Sequence, residues 1–211
     1  KCWIYPLAHG SLNIEGAIEN SCNCFFYEAG YRMSLKDNGL TSITSDNEEG
    51  KETRTYYSSE QGLDTLKKYA TMFGLGETSG LEIPESEPQI SDDSSVPSAI
   101  GQGTNNYTTS QLARYITTVA NKGNLFKLSL IDKVTTIDGE MVKDYTPEQE
   151  NTLTDISSST WTAVHNGMKK VISSAHPDMF AKLMASDVSL AGKTAVITGA
   201  GGVICGCMAK V

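Results

Sequence analysis

The sequence lacks any long apolar run. No stretch of the 211 residues approaches the ~20 consecutive apolar residues that a membrane-spanning helix needs. The first residues also lack the succession of basic, apolar and small residues that marks a signal peptide. These absences predict that the chain itself is soluble.

The sequence is also poor in positive charge. It has 17 Lys and Arg against 25 Asp and Glu, for a formal net charge of −8. Because binding to nucleic acid requires a basic face that neutralises phosphates, this balance argues against a nucleic-acid partner. No internal repeat is visible. The length alone allows one substantial core and one or two domains, of which we expect one domain that is cut.

Cysteine is present but lacks the spacing of a typical zinc site. The five cysteines include two Cys-x-Cys pairs, Cys22 with Cys24 and Cys205 with Cys207. Four thiols could bind zinc if these pairs met, but there is no Cys-x-x-Cys and there are no knuckle glycines. We therefore expect the cysteines to be ordinary small side chains that bind no metal, and we expect the chain to use no cofactor. With an odd number of cysteines, an exported protein would keep at least one free thiol.

The order of the predicted elements, helices first, then a hairpin, more helix and a late strand, predicts a mixed sheet with helices packed on it. Two polar segments, 33–57 and 83–100, are expected to be a loop and an extended surface crossing. The predicted helices and strands are helix 13–31 with a break at Glu19-Asn20-Ser21, helix 59–73 stopped by Gly74, a helix from the Thr108 cap to Gly123, a hairpin over 128–142 turning at Asp138-Gly139, a helix around Trp161 and Met168, a helix from Pro177, and a buried strand at 195–197.

Two short polar motifs indicate the chemistry. Ser21-Cys22-Asn23 and Lys193-Thr194 are residue types that suit a serine acyl-transfer site that binds a carboxylate. A lone Ser-x-Asn is more often a solvated turn, and Gly-Lys-Thr is commonly a strand start. Such a site also needs a nucleophilic Ser-x-x-Lys, which normally precedes Ser-x-Asn. No serine in the sequence has that spacing, and Ser34-Leu35-Lys36 places its lysine one position too close.

Longer phrases around these motifs resemble the class B penicillin-binding proteins, the peptidoglycan D,D-transpeptidases. The matching phrases occur in family order and cover about residues 1 to 194. They are Cys2-Trp3-Ile4, His9-Gly10, Ala17-Ile18-Glu19-Asn20-Ser21-Cys22-Asn23-Cys24-Phe25-Phe26-Tyr27, Gly74-Leu75-Gly76 with Ser79-Gly80, Ile100-Gly101-Gln102-Gly103, Thr109-Ser110-Gln111-Leu112-Ala113, Trp161, Gly167-Met168 and Ala191-Gly192-Lys193-Thr194.

The resemblance implies the α+β, β-lactamase-like transpeptidase fold, in which helices flank an antiparallel sheet and which is incomplete in this chain. It also implies a task for each matched residue. Ser21 would relay protons between two active-site lysines, one of which is Lys193. Asn23 would hold the backbone of the donor peptide. Lys193 and Thr194 would bind the terminal carboxylate of D-Ala-D-Ala or of a β-lactam, and the backbone N–H of Val196 would complete an oxyanion hole. No histidine is given a catalytic role, because His9 matches the family as a structural residue and His165 and His176 lie on a predicted helix and just before a helix start. The seven-residue spacing of Trp161 and Met168 predicts that both lie in the core.

The third motif departs from the family pattern. Ala195 stands where the family has glycine, and a methyl group there would crowd a substrate lying along the strand. From Gly192 to Cys205 the sequence is similar to the opening of a short-chain dehydrogenase, an apolar strand running into a glycine-rich turn. We therefore predict a partial transpeptidase domain over 1–194 and a divergent or foreign tail over 195–211.

Together these patterns predict a fragment of a peptidoglycan D,D-transpeptidase that is inactive on its own. The implied ligands are D-Ala-D-Ala stem peptides and β-lactams, and cell-wall elongation or division proteins are the implied partners. The parent would be anchored by an upstream helix at the outer face of the bacterial plasma membrane. One alternative is a non-catalytic domain that keeps the fold for binding or structure. A remote alternative, an NAD-dependent oxidoreductase, depends on the tail alone.

Overall fold

A computed structural model describes residues 1–35, 42–47, 50–55 and 57–175. Within these ranges the chain combines helices with short antiparallel strand pairs. The elements are α1 (Ile14–Glu19), α2 (Asn23–Met33), β1 (Ser42–Asn47), β2 (Gly50–Thr55), α3 (Ser59–Met72), α4 (Ser95–Ser98), α5 (Thr109–Ala120), β3 (Asn124–Phe126), β4 (Lys133–Thr135), β5 (Met141–Asp144), β6 (Gln149–Thr152) and α6 (Ser158–Ala175).

The strands form three separate antiparallel pairs among the described residues, β1 with β2, β3 with β6, and β4 with β5. The predicted hairpin is confirmed as β4 and β5, although these strands are short and exposed. The expectation of a loop over 33–57 is wrong for β1 and β2, which pair from Ser42 opposite Thr55 to Asn47 opposite Gly50. Backbone pairing between the two strands, which local residue preferences do not reveal, decides their structure.

The predicted helix boundaries are largely confirmed because side chains cap them. Thr108 and Gln111 form a reciprocal capping box at the start of α5. At the other end of α5, Lys122 rather than Gly123 occupies the first left-handed position, with φ of 55°. Gly123 follows with φ of 92°, and a Cβ there would also lie 2.8 Å from the Cβ of Leu153 and 2.9 Å from the Trp161 ring, so glycine suits this position on both counts.

Trp161 lies at the centre of the core, as expected from its spacing on α6. Its side chain is 6% exposed, and its ring packs edge-on against Phe73, with centroids 5.9 Å apart. Phe73 in turn makes an edge contact with Tyr115 of α5. Such aromatic pairs add to the stabilisation from apolar burial, so this cluster joins α3, α5 and α6.

The expected extended crossing at 83–100 contains one short helix, α4, which the prediction missed. Pro97 fits there because the first turn of a helix does not use its backbone N–H groups for internal hydrogen bonds. The buried Ser95 hydroxyl lies 2.7 Å from Ser34 Oγ and 3.2 Å from the Tyr57 hydroxyl. Gly62 of α3 faces this cluster, where a Cβ would meet Ser34 Oγ at 2.1 Å. Small residues therefore let α2, α3 and α4 approach closely.

Glu85 ties the segment after α3 to the start of α5. It accepts hydrogen bonds from the backbone N–H of Ser79 at 2.6 Å, from Thr108 Oγ1 at 2.5 Å, and from the hydroxyls of Ser79 and Ser110. Partial burial raises the pKa of this carboxyl, but these donors outweigh burial and lower it to about 2. Glu85 is therefore charged whenever the chain is folded near neutral pH.

Arg114 of α5 is the largest fully buried side chain, with 1% exposure. Its guanidinium donates to the carbonyls of Phe126 at 3.0 Å, Thr78 at 3.1 Å and Gly74 at 3.5 Å. It also donates to the carboxylates of Glu77, at 3.2 Å, and Glu150. A buried charge is stable only when it is paired and fully hydrogen-bonded. Arg114 therefore fixes α5 against the end of α3 and the β3–β6 pair.

Replacing Arg114 tests this arrangement. Arg114→Met keeps much of the apolar stem but leaves three carbonyls without their donor, so we expect a loss of about 3 kcal/mol in the free energy of unfolding. Urea denaturation of the 211-residue chain measures it. Arg32→Met is the matched control, because Arg32 forms an exposed pair with Glu28 and its loss should cost less than about 0.5 kcal/mol. Equal effects of the two substitutions would contradict the role given to Arg114.

Candidate active-site segment

Ser21, Cys22 and Asn23 lie at the junction between α1 and α2, at the break that the sequence predicts. The backbone N–H of Ser21 donates to Ile18 at 3.1 Å, and that of Cys22 donates to Ala17 at 2.9 Å. These two hydrogen bonds form the Schellman arrangement that ends many helices. The chain then starts α2 at Asn23, with Cys22 as its N-cap residue.

Ser21 occupies the left-handed position of this helix end. Its φ is 47°, a conformation that glycine adopts at little cost and other residues adopt with strain. A residue held in this region costs on the order of 1–3 kcal/mol, and such strain clusters at functional sites. The strained backbone therefore holds Ser21 on a hydrogen-bonded turn between two helices.

The polar groups of this motif are available for a ligand. Ser21 and Asn23 are both half-buried. Within the ranges that the structure describes, neither the Ser21 hydroxyl nor the Asn23 amide makes a side-chain hydrogen bond. A hydroxyl can donate and accept, and an amide offers both a donor and an acceptor. The pair can therefore bind a polar substrate without first breaking internal contacts.

Helix α6 packs against α1 and holds it through polar contacts and a close helix approach. Glu15 accepts from Lys170 Nζ at 2.7 Å and from Asn166 Nδ2 at 3.1 Å. The hydrogen bond from Lys170, together with that from Asn166, lowers the pKa of Glu15. The helices approach closely at Gly167, where a Cβ would lie 2.9 Å from the Cβ of Ile18. This contact fixes the helix that ends just before Ser21.

The N-terminal segment supports the same junction from another side. Trp3 Nε1 donates to the carbonyl of Asn20 at 3.0 Å, and the Trp3 ring lies 5.7 Å from the His9 ring, centroid to centroid. Cys2 Sγ lies 3.6 Å from His9 Nδ1 and 4.0 Å from Cys22 Sγ. The residues before α1 therefore touch the motif through both its backbone and its central side chain.

The two thiols of this group have opposite pKa shifts. Burial raises the pKa of Cys2, but the backbone N–H groups of Cys24, Asn23 and Ile4 outweigh it, so the pKa lies below its ordinary value. Two of these N–H groups belong to the first turn of α2, where helix N–H groups point outward and favour negative charge. Burial raises the pKa of Cys22 above its ordinary value.

The second predicted motif lies outside the described residues. Lys193, Thr194 and Val196 all fall in this part of the chain, as do the helix predicted from Pro177 and the strand at 195–197. The structure therefore places Ser21 and Asn23 together, and the proximity of Lys193 to them stays a prediction.

A family model described as the penicillin binding protein transpeptidase domain matches residues 4–199. The chain belongs to this family. Penicillin-binding protein 2A of Bacillus subtilis (strain 168) is 28% identical over 172 residues, which cover 77% of this chain and 22% of that protein. The resemblance that the sequence motifs indicated is thereby confirmed at the level of the transpeptidase domain.

Solved structures of penicillin-binding proteins share the fold. Penicillin-binding protein 2B from Streptococcus pneumoniae (strain 5204) superposes with a TM-score of 0.64 at 20% identity, covering 94% of this chain and 33% of that one. Penicillin-binding protein A from M. tuberculosis, in its imipenem acyl-enzyme complex, gives a TM-score of 0.51 at 18% identity, with 78% and 32% coverage. The predicted α+β penicillin-binding fold, incomplete in this chain, is confirmed.

The chain spans only part of the length of these proteins. It covers 22% of the curated relative and about a third of each of the two solved structures. Among the described residues no helix combines the length and apolarity that crossing a bilayer requires.

Sequence reasoning missed the grouping of Cys2, His9 and Cys22. It paired cysteines by their spacing along the chain, Cys22 with Cys24, and gave His9 only a structural role. In the structure Cys24 is exposed, whereas Cys22 is buried beside Cys2. The sequence feature that could have indicated this grouping is that Cys2 and His9 both lie in the family-like phrases that precede the Ser-x-Asn motif.

The strain at Ser21 yields a stability prediction. Ser21→Gly should raise the free energy of unfolding by about 0.5–1 kcal/mol, because glycine tolerates positive φ, whereas Ser21→Ala should not stabilise the chain. Denaturant unfolding of both variants of the 211-residue chain measures the difference. A stabilisation by alanine equal to that by glycine would show that the backbone at residue 21 is not strained.

Proposed function

We propose that the parent of this chain is a peptidoglycan D,D-transpeptidase and that this chain supplies two of the three motifs of its active site. The observation that carries the proposal is the placement of Ser21 and Asn23. In a member of the penicillin-binding transpeptidase family, both residues lie on a strained helix junction that two other segments support, and their side-chain polar groups have no hydrogen-bond partner among the described residues.

The geometry suits distinct tasks for these two residues. Among the described residues, only the backbone of Ser21 is hydrogen-bonded, so its hydroxyl can rotate to accept a proton from one lysine and donate one to another. Asn23 occupies the first turn of α2, whose backbone starts at a fixed position relative to Ser21. Its amide can donate to a carbonyl and accept from an N–H of the donor stem peptide. Neither residue serves as the nucleophile.

The second motif, Lys193-Thr194, binds the carboxylate end of the substrate. In the proposal, Lys193 and Thr194 bind the terminal carboxylate of D-Ala-D-Ala or of a β-lactam by charge and hydrogen bond. The backbone N–H of Val196 contributes to the oxyanion hole that stabilises the tetrahedral intermediate. Ala195, in place of the family's glycine, narrows the path of the substrate along this strand.

The nucleophile comes from outside these 211 residues, since the sequence contains no Ser-x-x-Lys. In the parent, the hydroxyl of that serine attacks the carbonyl of the penultimate D-Ala and forms an ester, and the terminal D-Ala leaves with a proton. An amine of an acceptor stem then attacks the ester, forms the cross-link and returns the proton to the serine. The chain alone does neither step.

The parent protein also has an expected location and expected partners. The parent works on the outer face of the bacterial plasma membrane, where its cross-linked substrate lies, and cell-wall elongation or division proteins are its expected partners. A domain over 1–194 followed by a divergent or foreign tail over 195–211 also belongs to the proposal. The alternatives, a non-catalytic binding domain and a dehydrogenase fragment, predict that no version of the protein is acylated by penicillin.

Covalent labelling with a fluorescent penicillin tests the proposal. We expect no adduct on the 211-residue chain, by gel fluorescence and intact mass, because the attacking serine is absent. A version extended upstream to include a Ser-x-x-Lys should form one stable adduct, which boiling in detergent does not remove and excess unlabelled penicillin prevents.

Two results would overturn this proposal in different ways. A stoichiometric adduct on the 211-residue chain would show that its own residues include a nucleophile. An extended version that folds, as judged by a cooperative unfolding transition, but forms no adduct would favour the non-catalytic domain.

A further inference from the structure

The indole of Trp3 has no part in the proposed chemistry, although it touches the candidate active-site segment. Trp3 lies before α1 and is 67% exposed, so its ring contributes little to the core. The ring is nevertheless held at two points. It lies 5.7 Å from the His9 ring, centroid to centroid, and its Nε1 donates to the carbonyl of Asn20 at 3.0 Å. Because Ser21 follows Asn20, this hydrogen bond reaches the backbone of the Ser-x-Asn motif.

The carbonyl of Asn20 and the N–H of Ser21 belong to one planar peptide group. The carbonyl accepts from Trp3 Nε1 at 3.0 Å, and the N–H donates to the carbonyl of Ile18 at 3.1 Å. Both polar atoms of this peptide group are therefore hydrogen-bonded, on opposite sides of the chain. Since the group rotates as a rigid unit between its two Cα atoms, these hydrogen bonds fix its orientation.

The orientation of this peptide group decides the backbone conformation of Ser21. Asn20 ends α1 with ψ of 4°, and Ser21 follows with φ of 47°. If the peptide group turned over, the φ of Ser21 would become negative and the strain of the left-handed conformation would be relieved. The hydrogen bond from the Ser21 N–H to Ile18 would then break together with that from Trp3. The position of Ser21 relative to α1 would no longer be fixed.

The hydrogen bond from Trp3 is strong enough to matter for this choice. The cost of a strained left-handed residue is comparable to the net contribution of one or two hydrogen bonds. The last carbonyls of a helix lack partners within the helix, and Trp3 supplies a donor to the carbonyl of Asn20, which caps α1. Without this donor, the balance shifts towards the form in which the peptide group is turned over.

We propose that Trp3 is a positioning residue whose indole N–H locks the Asn20–Ser21 peptide group and so keeps the Ser21 hydroxyl in the position from which it relays protons. Trp3 takes no part in the proton transfer itself. The lock on the backbone stands on the geometry of the junction, whereas its effect on acylation rests on the proposed transpeptidase function. Amide exchange reports on the lock, and acylation kinetics report on its effect.

Hydrogen exchange of the residue 21 amide, followed by NMR, tests the lock on the 211-residue chain. Trp3→Phe keeps an aromatic ring beside His9 but removes the N–H donor. We expect the exchange to quicken about fivefold, the factor that the loss of one hydrogen bond gives. Tyr5→Phe is the matched control, because it removes the polar atom of another exposed ring of the same segment, one that lies under Lys1 Nζ. It should leave the exchange rate unchanged.

Glycine at residue 21 tests whether the lock acts against backbone strain. Glycine adopts positive φ at little cost, so Ser21→Gly removes most of the tendency of the peptide group to turn over. In the Ser21→Gly chain, Trp3→Phe should therefore quicken amide exchange by less than about twofold. An equal factor with serine and with glycine would show that the hydrogen bond does not oppose strain at this residue.

Acylation by fluorescent penicillin of the version extended to include a Ser-x-x-Lys tests the consequence for the site. Trp3→Phe should lower the saturating rate of adduct formation about tenfold, because a reacting group that is not held in place costs large factors in rate. The penicillin concentration that gives half of this rate should change by less than about twofold, since Ser21 relays protons and does not hold the ligand. Partial unfolding alone would instead lower the amount of adduct and leave the rate unchanged.

The outcomes separate the lock from the proposed function. An unaltered extended protein that folds but forms no adduct would overturn the transpeptidase proposal, while amide exchange still decides the lock. Equal exchange rates in the Trp3→Phe and Tyr5→Phe chains would overturn the lock. An unchanged acylation rate in the extended Trp3→Phe protein would overturn the positioning role.

The unaltered chain decides the matter if the Trp3→Phe chain does not fold. Its two indole N–H groups belong to Trp3 and Trp161. Although Trp3 is 67% exposed, its indole N–H should exchange about fivefold more slowly than that of free tryptophan, because it is hydrogen-bonded. Exchange as fast as in free tryptophan would overturn the lock.

Discussion

The buried guanidinium of Arg114 is the constraint on which the arrangement of the helices depends. It joins α5 to the end of α3 and to the β3–β6 pair through carbonyls and carboxylates. Helix α6 then packs on this fixed unit, with Trp161 against Phe73 and with His165 contacting the carbonyl of Val119. Since α6 supports α1 at Gly167, the position of the Ser-x-Asn segment depends on an ion network in a different part of the domain.

The candidate active-site segment combines a strained backbone, support from neighbouring segments, and polar side chains that have no hydrogen-bond partner in the described part of the chain. The Glu15–Lys170 salt bridge and close helix packing hold α1, and the N-terminal residues hold the junction through Trp3 and the Cys2, His9 and Cys22 cluster. Against this support the chain keeps Ser21 in a left-handed conformation that glycine would adopt more easily. Support of this kind is what a catalytic motif needs, because small displacements of reacting groups cost large factors in rate.

Much of the helical structure could be predicted from the sequence because local signals determine it. The Thr108 and Gln111 capping box, the break at Glu19-Asn20-Ser21 and the apolar spacing around Trp161 each act over a few residues. The β1–β2 pair and the short helix α4 were missed because backbone pairing and packing on Gly62 decide them. The burial of Arg114, Gln111 and Thr118 on α5 was also missed, since their polar partners come from distant segments.

The candidate site, too, could be predicted from the sequence only in part. Ser21 and Asn23 could be identified from the phrases around them, and the structure adds the strain and support that no pattern reveals. The grouping of Cys2 and His9 with Cys22 depends on how the N-terminal segment folds back onto α2. Spacing along the chain pointed instead to Cys24, which the structure leaves exposed.

The most direct measurement is the second-order rate constant of penicillin acylation for an Asn23→Ala variant of the protein extended to include a Ser-x-x-Lys. The account predicts a fall of about 100-fold or more, because one oriented donor to the substrate is lost. The Asn20→Ala variant, whose amide already donates to Gly16 within α1, should change the rate by less than about threefold. An Asn23→Ala protein that acylates as fast as the unaltered one would contradict the claim that this helix junction forms part of a transpeptidase active site.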